Sequence, residues 1–285
     1  MSEWNPAIEP DPVRIKGLGW LRVALRGLVL VVLNFGCLLL LLAARLIERP
    51  LAGQDRPVTP HITRFVCRTA LRVLGIAYVV QGSPMQHRGA VVANHSSWLD
   101  IYALNACQSV YFVSKAEVSR WPFIGWLARA TGTVFIERDR RRARDHQSEF
   151  ESRIRAGHKL LFFPEGTSTD GRRVVPFKST LFQAFYTHGL EQVMSIQPVS
   201  VVYHAPPGQD VRFYGWWGAM FLAPHLLQTL AAGRQGRIEV IFHPPVSVDD
   251  FPSRKDLARH CEDEVRSGLH RALDQNAGGR DTRAV

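Results

Sequence analysis

Cysteine is scarce in this 285-residue chain. The four present, Cys37, Cys67, Cys107 and Cys261, form no CxxC pair. That excludes a zinc ribbon and gives no basis for a disulfide framework, so a reducing compartment is the simpler setting. Acidic residues are also in deficit. There are 25 Asp and Glu against 35 Lys and Arg, a formal charge of +10. Such an excess calls for an anionic partner: nucleic acid, an anionic membrane face or an acidic carrier. Nucleic acid is disfavoured, because no RNP, helix-turn-helix or zinc-finger pattern accompanies the charge. GxSxG, HExxH, GxxxxGK[ST] and GxGxxG are all missing, which removes the usual serine-hydrolase, zinc-protease, P-loop and dinucleotide readings. Histidines such as His61, His204, His225 and His243 have no ligand spacing, so no metal site is expected.

What is present begins with one uncharged run, Gly27 to Ala44, 18 residues whose only strongly polar member is Asn34. That length meets the lower limit for a spanning helix. Arg14, Lys16, Arg22 and Arg26 precede it and Arg45 and Arg49 follow it. Basic residues on both sides give no orientation, so a span, an interfacial helix and a re-entrant hairpin stay open. A buried core helix is the alternative without a membrane. A cleaved signal peptide fits poorly, because the leader is long and carries Glu3, Glu9 and Asp11. Residues 1–50 are therefore expected to form a membrane anchor segment.

Gly53 to Pro60 reads as a turn-rich linker. Residues 61–275 are expected to form the main domain, and 276–285 a disordered tail. Short apolar runs at Tyr78–Gln81, Ala90–Ala93, Val110–Ser114, Thr133–Ile136, Lys159–Phe163, Ser195–Tyr203 and Arg237–Phe242 read as strands. Trp98–Ala106, Pro122–Ala130, Arg141–Ala156, Ser179–Thr187, Ala219–Ala232 and Ser253–Asp274 read as helices. This β-α alternation predicts an α/β fold, a mostly parallel central sheet flanked by helices.

The chemistry concentrates in Asn94-His95-Ser96-Ser97-Trp98-Leu99-Asp100. It follows a strand and opens a helix, so His95 stands at a strand's carboxyl end, where α/β folds place their crevices. Asp100 can fold back onto the imidazole, hold one ring nitrogen as N–H and leave the other free as a base. Such a pair suits activation of a substrate hydroxyl. The spacing alone is weak, since roughly half an HxxxxD pair is expected by chance from this composition.

Three further segments accompany it: Gly132-Thr133-Val134-Phe135-Ile136-Glu137-Arg138, Phe162-Phe163-Pro164-Glu165-Gly166-Thr167-Ser168, and Ser195-Ile196-Gln197-Pro198-Val199-Ser200. In this order and spacing the four resemble the glycerolipid acyltransferase family, over about residues 65–250. The resemblance implies a lysolipid O-acyltransferase with an N-terminal membrane-associated helical segment, attached to the cell inner membrane with its catalytic domain on the cytoplasmic side. It implies no cofactor, a co-substrate acyl-ACP or acyl-CoA, a membrane lipid acceptor and an anionic membrane surface as partners. By the same resemblance His95 is the general base and Asp100 its orienting carboxylate. Arg138, Glu165, Gly166 and Thr167 bind the acceptor, and Asn94, Phe163, Pro164 and Pro198 support the site. For Arg138 the bland alternative is a solvated member of an Arg-rich run, for Glu165 and Gly166 a simple turn, and for Pro198 an edge-strand proline.

The leading acceptor by this resemblance is 1-acyl-sn-glycerol-3-phosphate, giving phosphatidate. One departure opens an alternative. Relatives acting on lysophosphatidate commonly continue the third motif as FPEGTRS, whereas this chain reads Phe163-Pro164-Glu165-Gly166-Thr167-Ser168-Thr169-Asp170-Gly171. The missing arginine weakens bidentate recognition of a phosphate monoester, unless Arg172, Arg173 or Lys178 replaces it. The FPEGTSTDG form, with Phe213-Tyr214-Gly215-Trp216-Trp217-Gly218 later, is similar to bacterial lyso-ornithine-lipid acyltransferases. A lipid hydrolase using His95 with water and a catalytically inactive membrane-tethered lipid-binding protein are weaker alternatives.

Overall fold

In this computed structural model, residues 14–136, 143–186 and 194–281 are described. Eight strands form one sheet: β1 (Ala77–Gln81), β2 (Gly89–Ala93), β3 (Tyr111–Lys115), β4 (Val134–Ile136), β5 (Leu160–Phe162), β6 (Ser195–His204), β7 (Arg237–Phe242) and β8 (Val246–Ser247). Their order is β1-β7-β6-β2-β5-β3-β4, with β8 pairing β6 off this path. All pairs are parallel except β6 with β7 and β6 with β8. The sheet is therefore mostly parallel, as the β-α alternation predicts.

The central strands are buried on both faces, which is why β2 reads as an unbroken small apolar run. Successive side chains point to opposite faces. Ala90 and Val92 join Phe162, Phe182 and Leu269 in one core, while Val91 and Ala93 join Leu71, Leu104 and Tyr203 in the other. The first core is covered by α7 (Arg254–Asp281) and a 3-10 helix at Ser179–Phe185. The second is covered by α2 (Thr59–Leu74), α3 (Asp100–Cys107) and α6 (Leu222–Ala231).

Several local expectations are corrected. The segment expected as a helix at Ser179–Thr187 is a 3-10 turn over its described part. The helix expected from Pro122 begins at Ile124 (α4, Ile124–Thr131), behind Phe123 at φ 63°. The last helix continues to Asp281 where a disordered tail was expected from residue 276. A helix already nucleated on a core adds residues at little further cost, and Gly278 and Gly279 alone do not stop it. Pro198 is not on an edge. It lies in β6, between β2 and β7, at the break between β8 pairing at Ser195–Ile196 and β7 pairing from Val199. Its carbonyl accepts the His243 N–H at 3.0 Å, and its missing N–H falls in the gap between those two partners.

The apolar run lies within α1 (Leu18–Ala52), and among the described residues this helix is long and apolar enough to cross a membrane. Both ends are nevertheless tied to the body. Arg26 Nη1 donates to the carbonyls of Leu230 and Ala232 at 2.9 and 2.7 Å, at the end of α6. Glu48 is buried and receives the N–H groups of Val58 (2.6 Å) and Thr59 (3.0 Å) and the Thr59 hydroxyl (2.9 Å). A carboxylate from α1 thus caps the N-terminus of α2, inside the stretch that reads as a linker. In mid-helix, Asn34 accepts the Tyr102 hydroxyl at 3.1 Å, so the one polar residue of the run faces α3. The helix lies along the body for about 39 Å between Arg22 and Glu48, with Leu25, Leu28, Val32, Leu39 and Leu40 exposed on its other side.

Candidate active site

β2 ends at Ala93, and the next six residues turn before α3 begins at Asp100. Asn94 anchors the start of this turn. Its side-chain amide donates to the Val201 carbonyl at 2.9 Å and its oxygen accepts the Val201 N–H at 2.8 Å, imitating a strand peptide. His95 follows, and Asp100 folds back one turn later. His95 Nδ1 lies 2.7 Å from Asp100 Oδ2. The same oxygen accepts the N–H groups of Ser96 (2.9 Å) and Ser97 (3.1 Å), and Asp100 Oδ1 accepts the Tyr203 hydroxyl. Asp100 is fully buried. Because its oxygens act as acceptors, the imidazole carries its hydrogen on Nδ1 and keeps a lone pair on Nε2. The His95 side chain is 23% exposed, so that lone pair is reachable.

The loop after β5 clamps the His95 main chain. Glu165 Oε1 accepts the His95 N–H at 2.7 Å, and the Thr169 N–H donates to the His95 carbonyl at 2.9 Å. Phe163 stacks on the imidazole, with centroids 4.2 Å apart and planes 15° from parallel. Glu165 is buried, and its second oxygen accepts the Val175 N–H at 2.9 Å. Burial pushes its carboxyl up to about 8 against the pull of those two bonds. Each oxygen thus holds one backbone N–H of the site. Pro164 is buried and its carbonyl accepts the Lys178 N–H at 2.9 Å. Gly166 stands at φ 69°, where a Cβ would strike the Lys178 ammonium; glycine lets that cation approach the loop. Thr167 is partly exposed beside it. Arg173 instead pairs with Asp170 at 3.2 Å. Arg138 lies outside the described residues.

The third side of the site is the Phe213–Gly218 segment, whose Trp216 N–H donates to the Ser96 carbonyl at 2.8 Å. Phe213, Tyr214 and Trp217 are buried in the core. Trp216 is half-buried and meets Trp121 edge-on at 6.5 Å. Trp121, Phe123, Trp126 and Phe221 are exposed. Two participants escape a reading of the sequence. Tyr203 is one, marked only as a hydroxyl-bearing ring in an apolar strand. His225 is the other; it accepts the Trp98 indole N–H at 2.9 Å, and burial lowers it to about 4. Among the described residues no three His, Cys, Asp or Glu side chains converge as metal ligands.

The arrangement is a buried carboxylate, an oriented imidazole and an exposed ring nitrogen at the mouth of a parallel sheet. It can take a proton from a bound hydroxyl. Comparison with known proteins agrees in kind. A family model described as Acyltransferase matches residues 71–202. The chain is 63% identical over 264 residues to a lyso-ornithine lipid O-acyltransferase from Rhodobacter capsulatus, covering 92% of this chain and 95% of that protein. It is 38% identical over 232 residues to the protein of that name from Brucella abortus, covering 78% and 85%. A 1-acyl-sn-glycerol-3-phosphate acyltransferase from Neisseria gonorrhoeae is 37% identical over 119 residues, 40% of this chain and 46% of that protein. In fold the chain is similar to the crystal structure of the 1-acyl-sn-glycerophosphate acyltransferase from Thermotoga maritima. The TM-score is 0.57 at 22% identity, covering 87% of this chain and 98% of that one.

Proposed function

This chain belongs to the acyltransferase family and is a lysolipid O-acyltransferase; we propose that its acceptor is lyso-ornithine lipid and that His95 is its general base. The observation that carries the acceptor is the 63% identity to the Rhodobacter capsulatus protein over nearly its whole length. The likeness to the Neisseria gonorrhoeae protein spans less than half of the chain. The absent arginine of the third motif supports the same choice. Without a fixed guanidinium after Thr167, the loop is poorly equipped for a phosphate monoester. A single ammonium suits the ornithine carboxylate, and Lys178 beside Gly166 is our assignment for it. Arg138 keeps the role of second cation for the acceptor head.

In the proposed reaction His95 Nε2 takes the proton from the acceptor hydroxyl as its oxygen attacks the carbonyl carbon of an acyl thioester. The imidazolium is held by the Asp100 carboxylate. The C–S bond then breaks, the new ester forms, and the thiolate leaves and takes the proton back from His95. No acyl-enzyme forms. The donor is an acyl-ACP or acyl-CoA. The exposed apolar side of α1, with Trp121, Phe123, Trp126 and Phe221, supports attachment to the inner membrane. The catalytic domain then faces the cytoplasm, where thioester donors reside and its four free cysteines stay reduced.

The test is an acceptor panel with the detergent-solubilised protein. One labelled acyl thioester is offered to lyso-ornithine lipid, lysophosphatidate and water, with His95→Ala as control. Acylation of lyso-ornithine lipid is expected, with turnover about 10²-fold or more lower in His95→Ala. Transfer mainly to lysophosphatidate overturns the acceptor, and transfer to water makes the protein a hydrolase. Near-normal turnover by His95→Ala removes it as the base.

A further inference from the structure

Away from the His95 crevice, partnerless buried polar atoms gather around Tyr111. Among the described residues they include Arg56 Nε, Arg153 Nε and both ring nitrogens of His158. The His158 ring stacks on Tyr111 with centroids 4.3 Å apart. The guanidinium carbons of Arg153 and Arg56 lie 4.7 and 5.9 Å from the Tyr111 ring centre. Both guanidiniums also converge on Gly132, where a Cβ would meet Arg56 Cζ at 2.9 Å and Arg153 Nη2 at 3.1 Å. Each donates to one backbone carbonyl, Arg56 to Ala130 and Arg153 to Gly132. Neither forms an ion pair among the described residues. Glu48, whose charge Arg56 feels, is already committed to Val58 and Thr59.

Two like charges side by side repel each other, Glu48 and Glu149 act on Arg56 and Arg153 without pairing with them, and each unpaired buried N–H adds a desolvation cost. A native structure accounts for such groups through something bound to them. Room for it exists. A cavity of about 480 Å³ opens here, lined by Arg56, His61, Tyr111, His158 and Lys159 among others, with Asp55 its only carboxylate. Burial, then Arg153 and Arg56, lower His158 to about 4. Its ring is therefore neutral at pH 7, with the Gln54 backbone beside one of its nitrogens. Ala52, the last residue of α1, also lines the cavity. The cavity sits where β3 and β5 begin, at Tyr111 and beside Lys159, whereas His95 stands beyond their far ends. It is a separate place from the candidate active site.

We propose that this cavity binds a phosphate-bearing anion through Arg56, Lys159 and His158, with Arg153 adding positive charge from behind Tyr111: the headgroup of an anionic phospholipid held beside the end of α1. Arginine and lysine are the usual partners of phosphate oxygens, and a headgroup completes the unpaired N–H set while its chains run toward the exposed side of α1.

The experiment is calorimetric titration of the full chain in neutral detergent. The probes are dihexanoyl-phosphatidylglycerol, dihexanoyl-phosphatidylcholine and inorganic phosphate. Saturable one-site binding of phosphatidylglycerol is expected, tighter than that of the other two. Lys159→Gln and Arg56→Gln are each expected to weaken it about tenfold or more, while His95→Ala binds as the parent does. Lys159→Gln changes a partly exposed side chain and so preserves the fold if Arg56→Gln does not. Inorganic phosphate binding as tightly as the lipid, with the same sensitivity to Lys159→Gln, supports the anion site and overturns the lipid as its source. Absence of saturable binding, or equal binding by Lys159→Gln, overturns the proposal.

Discussion

The Tyr203 hydroxyl donates to Asp100 Oδ1, while His95 Nδ1 and two backbone N–H groups share Oδ2. Asp100 is therefore fixed from β6 as well as from its own turn. This makes Tyr203 a positioning residue that acts through Asp100. For Tyr203→Phe, kcat is expected to fall about tenfold with KM unchanged, the worth of a hydrogen bond to a charged group. Steady-state kinetics in which kcat is unchanged, or kcat and KM change together, would make the hydroxyl merely structural.

Asp100→Asn keeps the shape and removes the charge. The amide oxygen can still serve Ser96 and Ser97, and its NH₂ can face Tyr203. Stabilisation of the imidazolium is lost. Turnover is expected to drop by about 10²-fold or more, with little change in KM for the acceptor. Steady-state kinetics at saturating donor decide it, and unchanged turnover removes Asp100 from the mechanism.

Glu165 titrates in the opposite sense to a salt-bridged acid. Burial raises its folded value to about 8, above 4.5 for the free side chain. A group shifted this way gives stability that is complete below about pH 4.5 and fades as the pH rises through 8. The melting temperature of the wild type should therefore decline between pH 5 and 9, and that of Glu165→Gln should decline less. Parallel curves for the two proteins would refute this.

Leu28 and Val32 lie on the exposed side of α1, at 64% and 62% exposure. The double substitution Leu28→Glu with Val32→Glu places two charges where lipid is expected and touches no core. Sedimentation with membranes should fall several-fold, while the melting temperature stays within a few degrees, as for surface changes generally. Full retention would transfer attachment to the Trp121–Trp126 and Phe221 surface. Deleting residues 1–45 is a poorer test, because it also removes the arginines that hold α6.

The elements were legible where their cause is local. β2 announces itself as a doubly buried run, and the His95–Asp100 pair lies within one turn. What stayed hidden acts between separate elements. Glu48 caps α2 from another helix, Asn94 pairs with Val201, and Tyr203 reaches Asp100 from β6. No spacing in the sequence marks such contacts. Glu165 adds a role of the same kind: a carboxylate in a strand-end loop reads as a ligand group, and only the fold reveals that it also holds the N–H groups of His95 and Val175. The edge-strand alternative for Pro198 arises because the change of partner from β8 to β7 is invisible in one dimension.

The bond between Asn94 and Val201 joins residues 107 positions apart. During synthesis the ribosome releases His95 and Asp100 long before β6 exists. Until then β2 lacks its neighbour, the turn lacks its anchor, and the carboxylate lacks the Tyr203 hydroxyl. Contacts this distant form slowly, because the intervening loop must close first. The apolar helix α1 is therefore complete in the nascent chain well before the His95 turn is anchored, and a product truncated before residue 195 would lack both Val201 and the Tyr203 hydroxyl.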